Sequence, residues 1–263
     1  MNKVGVFPFG QPVLPVVQTN RSKKRVFVLG VYASAVHARW VDDHGCQRIG
    51  AVAVASEPEI FWRGNPEEAQ AIIARIELPS GAGALSAANS QLNGPSGQAL
   101  DDLFLTPLHL QRADAWLCDL VPHSCMNEKQ AAALRREYDP IRDSLGLPQY
   151  DWPLLPTKLT NEDRQAAIEE ELRDSGADIL ITLGDQPLRW FTRRYGTKSQ
   201  LAGCVQTTGA YGRPLSLTIG RKELQLLPLV HPRQAARLGT HSAEWASHHD
   251  TWVRSSPDKW VFA

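Results

Sequence analysis

Apolar residues along the chain cluster in short runs of β-type composition, and segments with helical spacing lie between these runs. Val26, Val28 and Leu29 form the first run, and Gly30 is expected to end it in a turn. Further runs of this type are "RIGAVAVAS" (48–56), "AWLCDLVP" (115–122), "ADILITLG" (177–184) and "LPLV" (227–230). Because strands that alternate with helices pair in parallel through crossover connections, we predict an α/β fold with a parallel sheet.

The helix predicted from "TNEDRQAAIEEELRDSG" (160–176) has recognisable ends. Thr160 and Asp163 have the spacing of a capping box, and Gly176 is expected to stop the helix. Residues 79–97, in contrast, are rich in Gly, Ser, Ala and Asn and predict a long loop. Loops of that length inside a compact domain tend to be functional or mobile.

The composition is that of a globular protein without a strong electrostatic preference. The 263 residues are enough for one large domain or two small ones, and 28 Lys and Arg balance 28 Asp and Glu. An anionic partner would therefore be held by local clusters of cations. No apolar run approaches the length that spans a bilayer, and Pro, Gly and Gln interrupt the first residues, "MNKVGVFPFGQPVLPVV". We expect a cytoplasmic protein that does not enter a membrane.

The four cysteines are scattered and form no CxxC pair, which argues against a zinc ribbon. Cys118, His123 and Cys125 lie close together in the sequence and have the residue types of metal ligands. Because no second half of such a site is evident, we interpret the group as structural and predict no metal.

Polar residues are concentrated directly after the first strand. Tyr32, Ser34, His37 and Arg39 follow Gly30. Ligands of open α/β sheets bind outside the carboxyl ends of the strands, so these side chains are candidates for a site. The alternative is a turn and a helix start in which His37 and Arg39 are merely solvated.

Four segments, in this order, resemble the uracil-DNA glycosylase superfamily. They are "VFVLGVYASAVH", "AWLCDLVP", "ILITLGDQPLRWF" and "LPLVHPRQAARLG". The resemblance implies a single domain over residues 1–263, with a three-layer α/β/α fold around a four-stranded parallel sheet. It also implies a pocket for a flipped-out base at the carboxyl ends of the strands, and hydrolysis of the N-glycosidic bond of that base. DNA is then the expected partner, and we expect a monomer without a cofactor.

In the family, the His-Pro loop supplies a hydrogen-bond donor to the departing base, which here corresponds to His231 and Pro232. A donor at that place lowers the barrier because the base leaves as an anion. The alternative for His231 is a buried structural histidine.

The water-activating Asp of classical members is replaced here by Tyr32, which cannot act as a carboxylate. We prefer Glu57 as its replacement, because Pro58 and Trp62 could hold it rigid and partly dry. An exposed loop carboxylate is the alternative for Glu57. The other candidates are Asp42, Asp43, Glu59 and, as a water-orienting group, His37.

A second departure concerns the residue that reads the base. Asp119 stands where classical members carry an Asn. An ionised Asp only accepts hydrogen bonds, so it would repel O4 of uracil and bind the exocyclic amino group of cytosine. Since excision of ordinary cytosine would destroy the host genome, we hypothesise a 5-substituted cytosine, such as the glucosylated hydroxymethylcytosine of bacteriophage DNA. The protein would then act in antiphage defence.

Further residues are expected to complete the site. Tyr32 or Trp40 would stack on the base, and the pocket would be lined by Gly30, Ser34 and His123. The intercalating apolar residue of many family members is missing after His231, where Leu238 is the only large apolar residue nearby. Arg233 or Arg237 would fill or brace the gap and also hold phosphates, and Arg39 is a further candidate for a DNA contact.

Other functions remain open from the sequence. They are a uracil-DNA glycosylase of base-excision repair, a catalytically inactive DNA-binding member of the fold, and a different hydrolase built on Ser34 and His37. The hydrolase has little support, because the chain contains no G-x-S-x-G motif.

Overall fold

The structure, a computed structural model, describes residues 3–195, 200–208, 210–220, 222–238 and 241–262. The chain forms two compact units. The first unit comprises Met1–Val16, Tyr32–Pro95 and Pro122–Leu159, and the second comprises Val17–Val31, Ser96–Val121 and Thr160–Ala263. The single domain over residues 1–263 stays a prediction.

The strands are β1 (Gly5–Val6), β2 (Pro12–Val13), β3 (Val26–Tyr32), β4 (Ala35–Val41), β5 (Gln47–Ser56), β6 (Ala84–Ala87), β7 (Ala115–Val121), β8 (Ile179–Leu183), β9 (Leu215–Ile219) and β10 (Lys222–Leu229). The α-helices are α1 (Pro66–Ile73), α2 (Pro95–Ala99), α3 (Glu128–Glu137), α4 (Asp139–Arg142), α5 (Glu162–Ser175), α6 (Asp185–Arg194), α7 (Leu201–Thr208), α8 (Pro232–Ala235), α9 (Ser242–Arg254) and α10 (Asp258–Val261). A π-helical segment, Leu100–Leu105, follows α2. None of the helices in the described ranges combines the length and the apolar character needed to cross a bilayer.

The second unit contains a mixed sheet with the strand order β7-β3-β8-β10-β9. β3 and β10 both pair in parallel with the central strand β8, and β9 pairs antiparallel with β10 as a hairpin. The predicted α/β character is therefore confirmed. The sheet differs from the one that the resemblance implies, because the segment before β10 adds β9 as an antiparallel strand.

The central strand β8 has all five of its residues buried. Since successive side chains of a strand point to opposite faces, both faces of the sheet are covered at this strand. Its apolar, β-branched sequence suits such a position, as predicted. α5 covers one face of β7, where Trp116 Nε1 donates to Glu171 Oε2 at 3.0 Å.

The first unit is built around an antiparallel sheet with the order β5-β4-β6. Its core contains Trp40, whose ring lies 5.3 Å from that of Phe9 and 5.9 Å from that of Tyr138. The turn between β4 and β5 is closed by Asp42, whose Oδ1 accepts the backbone N–H groups of His44 and Cys46.

Two sequence-based predictions around this sheet are wrong. Gly30 does not stop the first strand, since β3 continues to Tyr32, and Ala35–Val41 is a strand rather than a helix start. Burial in β4 alternates with a period of two, which is the pattern of a strand. The predicted loop over residues 79–97 also contains β6, which pairs with β4, and the first residues of α2.

The predicted ends of α5 are half confirmed. Gly176 adopts φ 66° at the C-terminus, a left-handed conformation that Gly adopts at little cost. The N-terminal cap is Asn161, whose side chain accepts the N–H of Arg164, rather than Thr160. Thr160 Oγ1 instead accepts a hydrogen bond from Trp190 Nε1 at 2.8 Å.

Candidate functional site

His231 follows the end of β10 in the second unit, beside the end of β8. Leu229 and Leu183 form the last parallel pair of these strands, and the N–H of Gly184 donates to the carbonyl of Leu229 at 2.7 Å. Gly184 has φ 96°, and a Cβ at this position would lie 3.4 Å from Cβ of His231. Glycine at position 184 therefore lets the chain after β8 turn close to His231.

The imidazole of His231 is held in one tautomer. Nδ1 accepts the backbone N–H of Arg233 at 3.2 Å, since His231 is the N-cap residue of α8. Burial, together with the nearby Arg233 cation, lowers the pKa of His231 to about 4. The ring is therefore neutral at pH 7, and its proton lies on Nε2. Because the helix-capping bond involves only Nδ1, Nε2–H remains a hydrogen-bond donor.

Asp119 lies on β7, two residues before the end of this strand. Its side chain is almost fully enclosed, with 3% of the residue exposed, and no described residue donates a hydrogen bond to the carboxylate. Desolvation is the main reason that the pKa of Asp119 is raised to about 7; the Arg164 charge opposes the rise and the Glu171 charge adds to it. At neutral pH this carboxyl group is therefore partly protonated.

The side chains of β7 point alternately to the two faces of the sheet. Cys118 faces α5, where Arg164 Nη2 lies 3.1 Å from its sulfur, and Trp116 bonds to α5 on the same face. Asp119 must then point to the opposite face. Its carboxylate is directed away from α5, although the charges of that helix still act on it.

Arg164 holds the end of β7 in place. Its guanidinium donates to the carbonyl of Asp119 at 2.6 Å and to Glu171 Oε1 at 2.9 Å, and it also approaches the carbonyl of Leu120. A buried cation that bonds to main-chain carbonyls restricts their movement, because breaking these bonds would leave the charge unpaired. Sequence reasoning missed Arg164, since nothing in its local pattern distinguishes it from a solvated helix residue.

The strands β3 and β8 separate Asp119 from His231. β7 and β10 are three strand spacings apart in the sheet, which corresponds to about 14 Å at the usual spacing of about 4.8 Å. The two side chains therefore do not touch. Gly30 on β3 and Gly184 after β8 carry no side chains.

The two arginines that follow His231 differ in their partners. Arg237 Nη2 donates to Asp250 Oδ2 at 2.8 Å, whereas the guanidinium of Arg233 has no ion-pair partner among the described residues. Arg233 also lies close enough to His231 to lower its pKa. Of the two arginines, Arg233 is thus the one that can bind a phosphate group without breaking an existing ion pair.

The comparisons add no family. No family model matches the chain, and no curated sequence matches it.

The other residues that the sequence singled out belong to the first unit, and they are Tyr32, Ser34, His37, Arg39, Trp40, Asp42, Glu57 and His123. Two of them have structural roles that the sequence did not predict. Trp40 is 0% exposed, and its Nε1 donates to the carbonyl of Ala82 at 2.7 Å. The prediction that Trp40 stacks on a base is wrong, because both faces of its ring are packed in the core.

Asp42 is the second residue with a structural role. The backbone hydrogen bond from Cys46, followed by that from His44 and the Arg48 charge, lowers the pKa of Asp42. A carboxylate that closes a turn and is stabilised as an anion is a weak proton acceptor, so Asp42 is a poor general base.

The remaining residues of the first unit keep their sequence-based interpretation as predictions. Glu57 follows β5 directly and is 4% exposed, so it is not the solvated loop carboxylate that was its alternative. His37 lies within β4, where Asn93 bonds to both its N–H and its carbonyl. Tyr32 and Arg39 are exposed, and Ser34 is partly exposed between β3 and β4.

The interpretation of Cys118, His123 and Cys125 as structural residues stays a prediction. His123 Nδ1 lies 3.1 Å from the carbonyl of Ser124 and 3.8 Å from the sulfur of Cys125. Burial raises the pKa of Cys125 to about 11 and that of Cys118 well above its usual range, so both are neutral thiols. Among the residues that the structure describes, no three His, Cys, Asp or Glu side chains are grouped as metal ligands.

Proposed function

We propose that this protein is a DNA glycosylase that binds an everted base and hydrolyses its N-glycosidic bond. The observation that carries the proposal is the neutral His231, whose Nε2–H is left free because Nδ1 accepts the N–H of Arg233. Its place outside the carboxyl end of a parallel strand is where ligands of α/β sheets bind.

The chemistry of base release needs such a donor. When the bond between C1′ and the ring nitrogen breaks, the electron pair leaves with the base, and negative charge develops on the base oxygen next to that nitrogen. A neutral N–H donor aimed at this oxygen stabilises the charge in the transition state. Water then adds to the cationic C1′ and loses a proton to the solvent; Glu57 belongs to the first unit, and its role as a base stays a prediction.

Asp119 is the proposed reader of the base. A protonated carboxyl group has one O–H donor and one acceptor oxygen, which match N3 and the amino group on the edge of cytosine. The ionised form accepts from the amino group alone. With a pKa of about 7, Asp119 supplies both forms at neutral pH. As in the sequence analysis, we propose a 5-substituted cytosine of foreign DNA, because a host enzyme that removed ordinary cytosine would damage its own genome.

The finer features of the fold belong to the same proposal. We propose that β7 runs parallel to β3, which would give four parallel strands and, with helices on both faces, a three-layer arrangement. In support, the N–H of Arg25 donates to the carbonyl of Asp114 at 2.8 Å, which brings the starts of the two strands together. DNA as the partner, the monomeric state and the cytoplasmic location remain part of the proposal.

A base-release assay tests the function. The purified chain is incubated with four duplexes that carry a single uracil, cytosine, 5-hydroxymethylcytosine or glucosylated 5-hydroxymethylcytosine, and hot alkali then converts abasic sites into strand breaks. We expect breaks at the glucosylated base. Release of uracil alone would overturn the cytosine assignment, and no break in any duplex would overturn the glycosylase.

The control variant is His231→Asn, which removes the Nε2–H donor while its side-chain oxygen can still accept the N–H of Arg233. Strand breaks that persist at the wild-type rate in this variant would come from a contaminating enzyme or from a site other than His231.

A further inference from the structure

A chain of hydrogen bonds crosses the second unit and ends next to His231. The carbonyl of Leu103 lies 2.9 Å from Nε2 of His249, and Nδ1 of His249 lies 2.9 Å from the hydroxyl of Tyr211. The Tyr211 hydroxyl in turn accepts the backbone N–H of Val230 at 2.8 Å. Val230 immediately precedes His231.

The proton positions along this chain are determined by its two ends. The carbonyl of Leu103 can only accept, so Nε2 of His249 carries the proton and Nδ1 is an acceptor. Tyr211 then donates its hydroxyl proton to Nδ1 and accepts from Val230. Burial lowers the pKa of His249 to about 4 and raises the pKa of Tyr211, so both rings stay neutral.

The N–H of Val230 depends on Tyr211 for its partner. Leu229 is the last residue of β10 to pair with β8, so Val230 lies just beyond the ladder. Val230 is fully buried, and an unpaired buried N–H is unfavourable. The Tyr211 hydroxyl thus supplies the acceptor for a backbone N–H that has no partner in the sheet, at the point where the polypeptide turns towards His231.

Packing restricts the side chains of both His249 and Tyr211. The ring of His249 lies 4.3 Å from that of Phe104 and 5.0 Å from that of Trp252. Trp252 Nε1 donates to the carbonyl of Gly212 at 3.1 Å, and a Cβ on Gly212 would lie only 2.5 Å from the Trp252 ring. The turn after Tyr211 is therefore closely packed against α9, which leaves the hydroxyl little freedom.

We propose that Tyr211 and His249 are positioning residues for His231. Through Val230 they hold the start of the His-Pro loop, so that Nε2–H of His231 keeps a constant direction during base release. The expected effect of these residues on the rate of base release rests on the proposed glycosylase function. Their effect on the His231 ring is independent of any activity.

The test measures both effects in Tyr211→Phe, which removes only the hydroxyl. Long-range ¹H–¹⁵N NMR of the histidine rings reports the tautomer and the titration of His231 in the free protein. We expect the wild-type His231 to show the Nε2–H tautomer throughout pH 6 to 8, and the variant to show a changed tautomer population or pKa. In the base-release assay we expect kcat to fall by about tenfold to a hundredfold with little change in KM, because a small misplacement of a catalytic group is costly.

Tyr195→Phe is the matched control, because it also removes one tyrosine hydroxyl from the second unit, in this case from a bond to Glu169. It should leave the His231 signals and kcat unchanged. Wild-type His231 signals in Tyr211→Phe, or equal effects of the two Tyr→Phe variants, would overturn the proposal.

Two variants of His249 keep the test decisive if Tyr211→Phe does not fold. The amide of Gln can donate to Leu103 and accept from Tyr211, whereas Asn is too short to reach both partners. We expect His249→Gln to keep the His231 signals and His249→Asn to change them, and the reverse would contradict the role of the chain. A wild-type protein that releases no base would refute the proposed function, while the NMR comparison would still decide the positioning role.

Discussion

Asp42 in the first unit and Asp119 in the second lie near the ends of strands, yet their surroundings give the two carboxyl groups opposite properties. Asp42 accepts two backbone N–H groups and faces Arg48, which favours its anion and lowers its pKa. Asp119 is enclosed without any donor from a described residue, and its pKa is raised to about 7. A carboxylate that is satisfied by its own turn supports the fold, whereas one that is enclosed and unsatisfied is free for a ligand.

The same contrast separates the aromatic and histidine residues of the two units. Trp40 has its ring packed and its N–H bonded within the core, while His231 has one ring nitrogen bonded and the other left as a donor. We therefore expect substitutions in the first group to change mainly stability, and substitutions in the second to change mainly activity.

Trp40→Ala should have the largest effect on stability. Removing a fully buried aromatic side chain leaves a cavity, and we expect the free energy of unfolding to fall by about 3 to 5 kcal/mol. Urea unfolding measures the change, with Tyr32→Ala at an exposed position as the comparison. A folded and stable Trp40→Ala protein that has lost base release alone would mean that Trp40 belongs to the site after all.

Asp119→Asn should stabilise the protein at high pH. A folded-state pKa of about 7 lies above the unfolded value, so the stability from the neutral carboxyl is complete below about pH 4 and is lost as pH rises through 7. At pH 8 the variant should gain on the order of 3 to 4 kcal/mol, since one pKa unit corresponds to about 1.4 kcal/mol.

Asp42→Asn should show the opposite pH dependence of stability and is measured alongside Asp119→Asn. Its pKa is lowered, so its stabilising effect is present above the unfolded pKa and is lost as pH falls through the folded pKa. This variant should be less stable than the wild type at pH 7, by an amount that shrinks in acid. Thermal unfolding at pH 4 and pH 8 compares both variants, and the same sign of change at pH 8 would remove the distinction between the two carboxyl groups.

His231→Asn should lower kcat for base release by about a hundredfold to a thousandfold, the usual cost of losing one donor to a developing anion. His231→Gln, whose amide can place an N–H near the position of Nε2, should retain more activity than His231→Asn. Activity that is kept by His231→Asn and lost by His231→Gln would indicate that the capping bond to Arg233, rather than the Nε2 donor, is what matters.

Arg233→Ala should have the smallest of these effects. Because Arg233 has no ion-pair partner among the described residues, it is the expected phosphate contact, and its loss should reduce the slope of log K against log salt by about one. Arg237→Ala should change the slope less, since Arg237 is already paired with Asp250. Equal slopes for both variants and the wild type would exclude DNA contacts by this helix.

Local sequence signals were sufficient for several elements. The apolar run of β8 and the end of α5 at Gly176 are visible in the sequence, because strand burial and a left-handed glycine depend on neighbouring residues. His231 was singled out through the family resemblance of the segment "LPLVHPRQAARLG" rather than by a local signal, and its role stays a proposal. For β4 the local signal misled, since alternation over residues 35–41 is short and polar residues are interspersed in it.

The features that local signals could not predict depend on contacts between residues that are distant in the sequence. The raised pKa of Asp119, the burial of Trp40 and the hydrogen bonds from Leu103 through His249 and Tyr211 to Val230 all depend on segments that are far apart in the sequence. A residue type and its neighbours decide whether a strand or a helix end can form. The protonation and availability of a side chain depend on desolvation and on hydrogen-bond partners, and only folding brings those together.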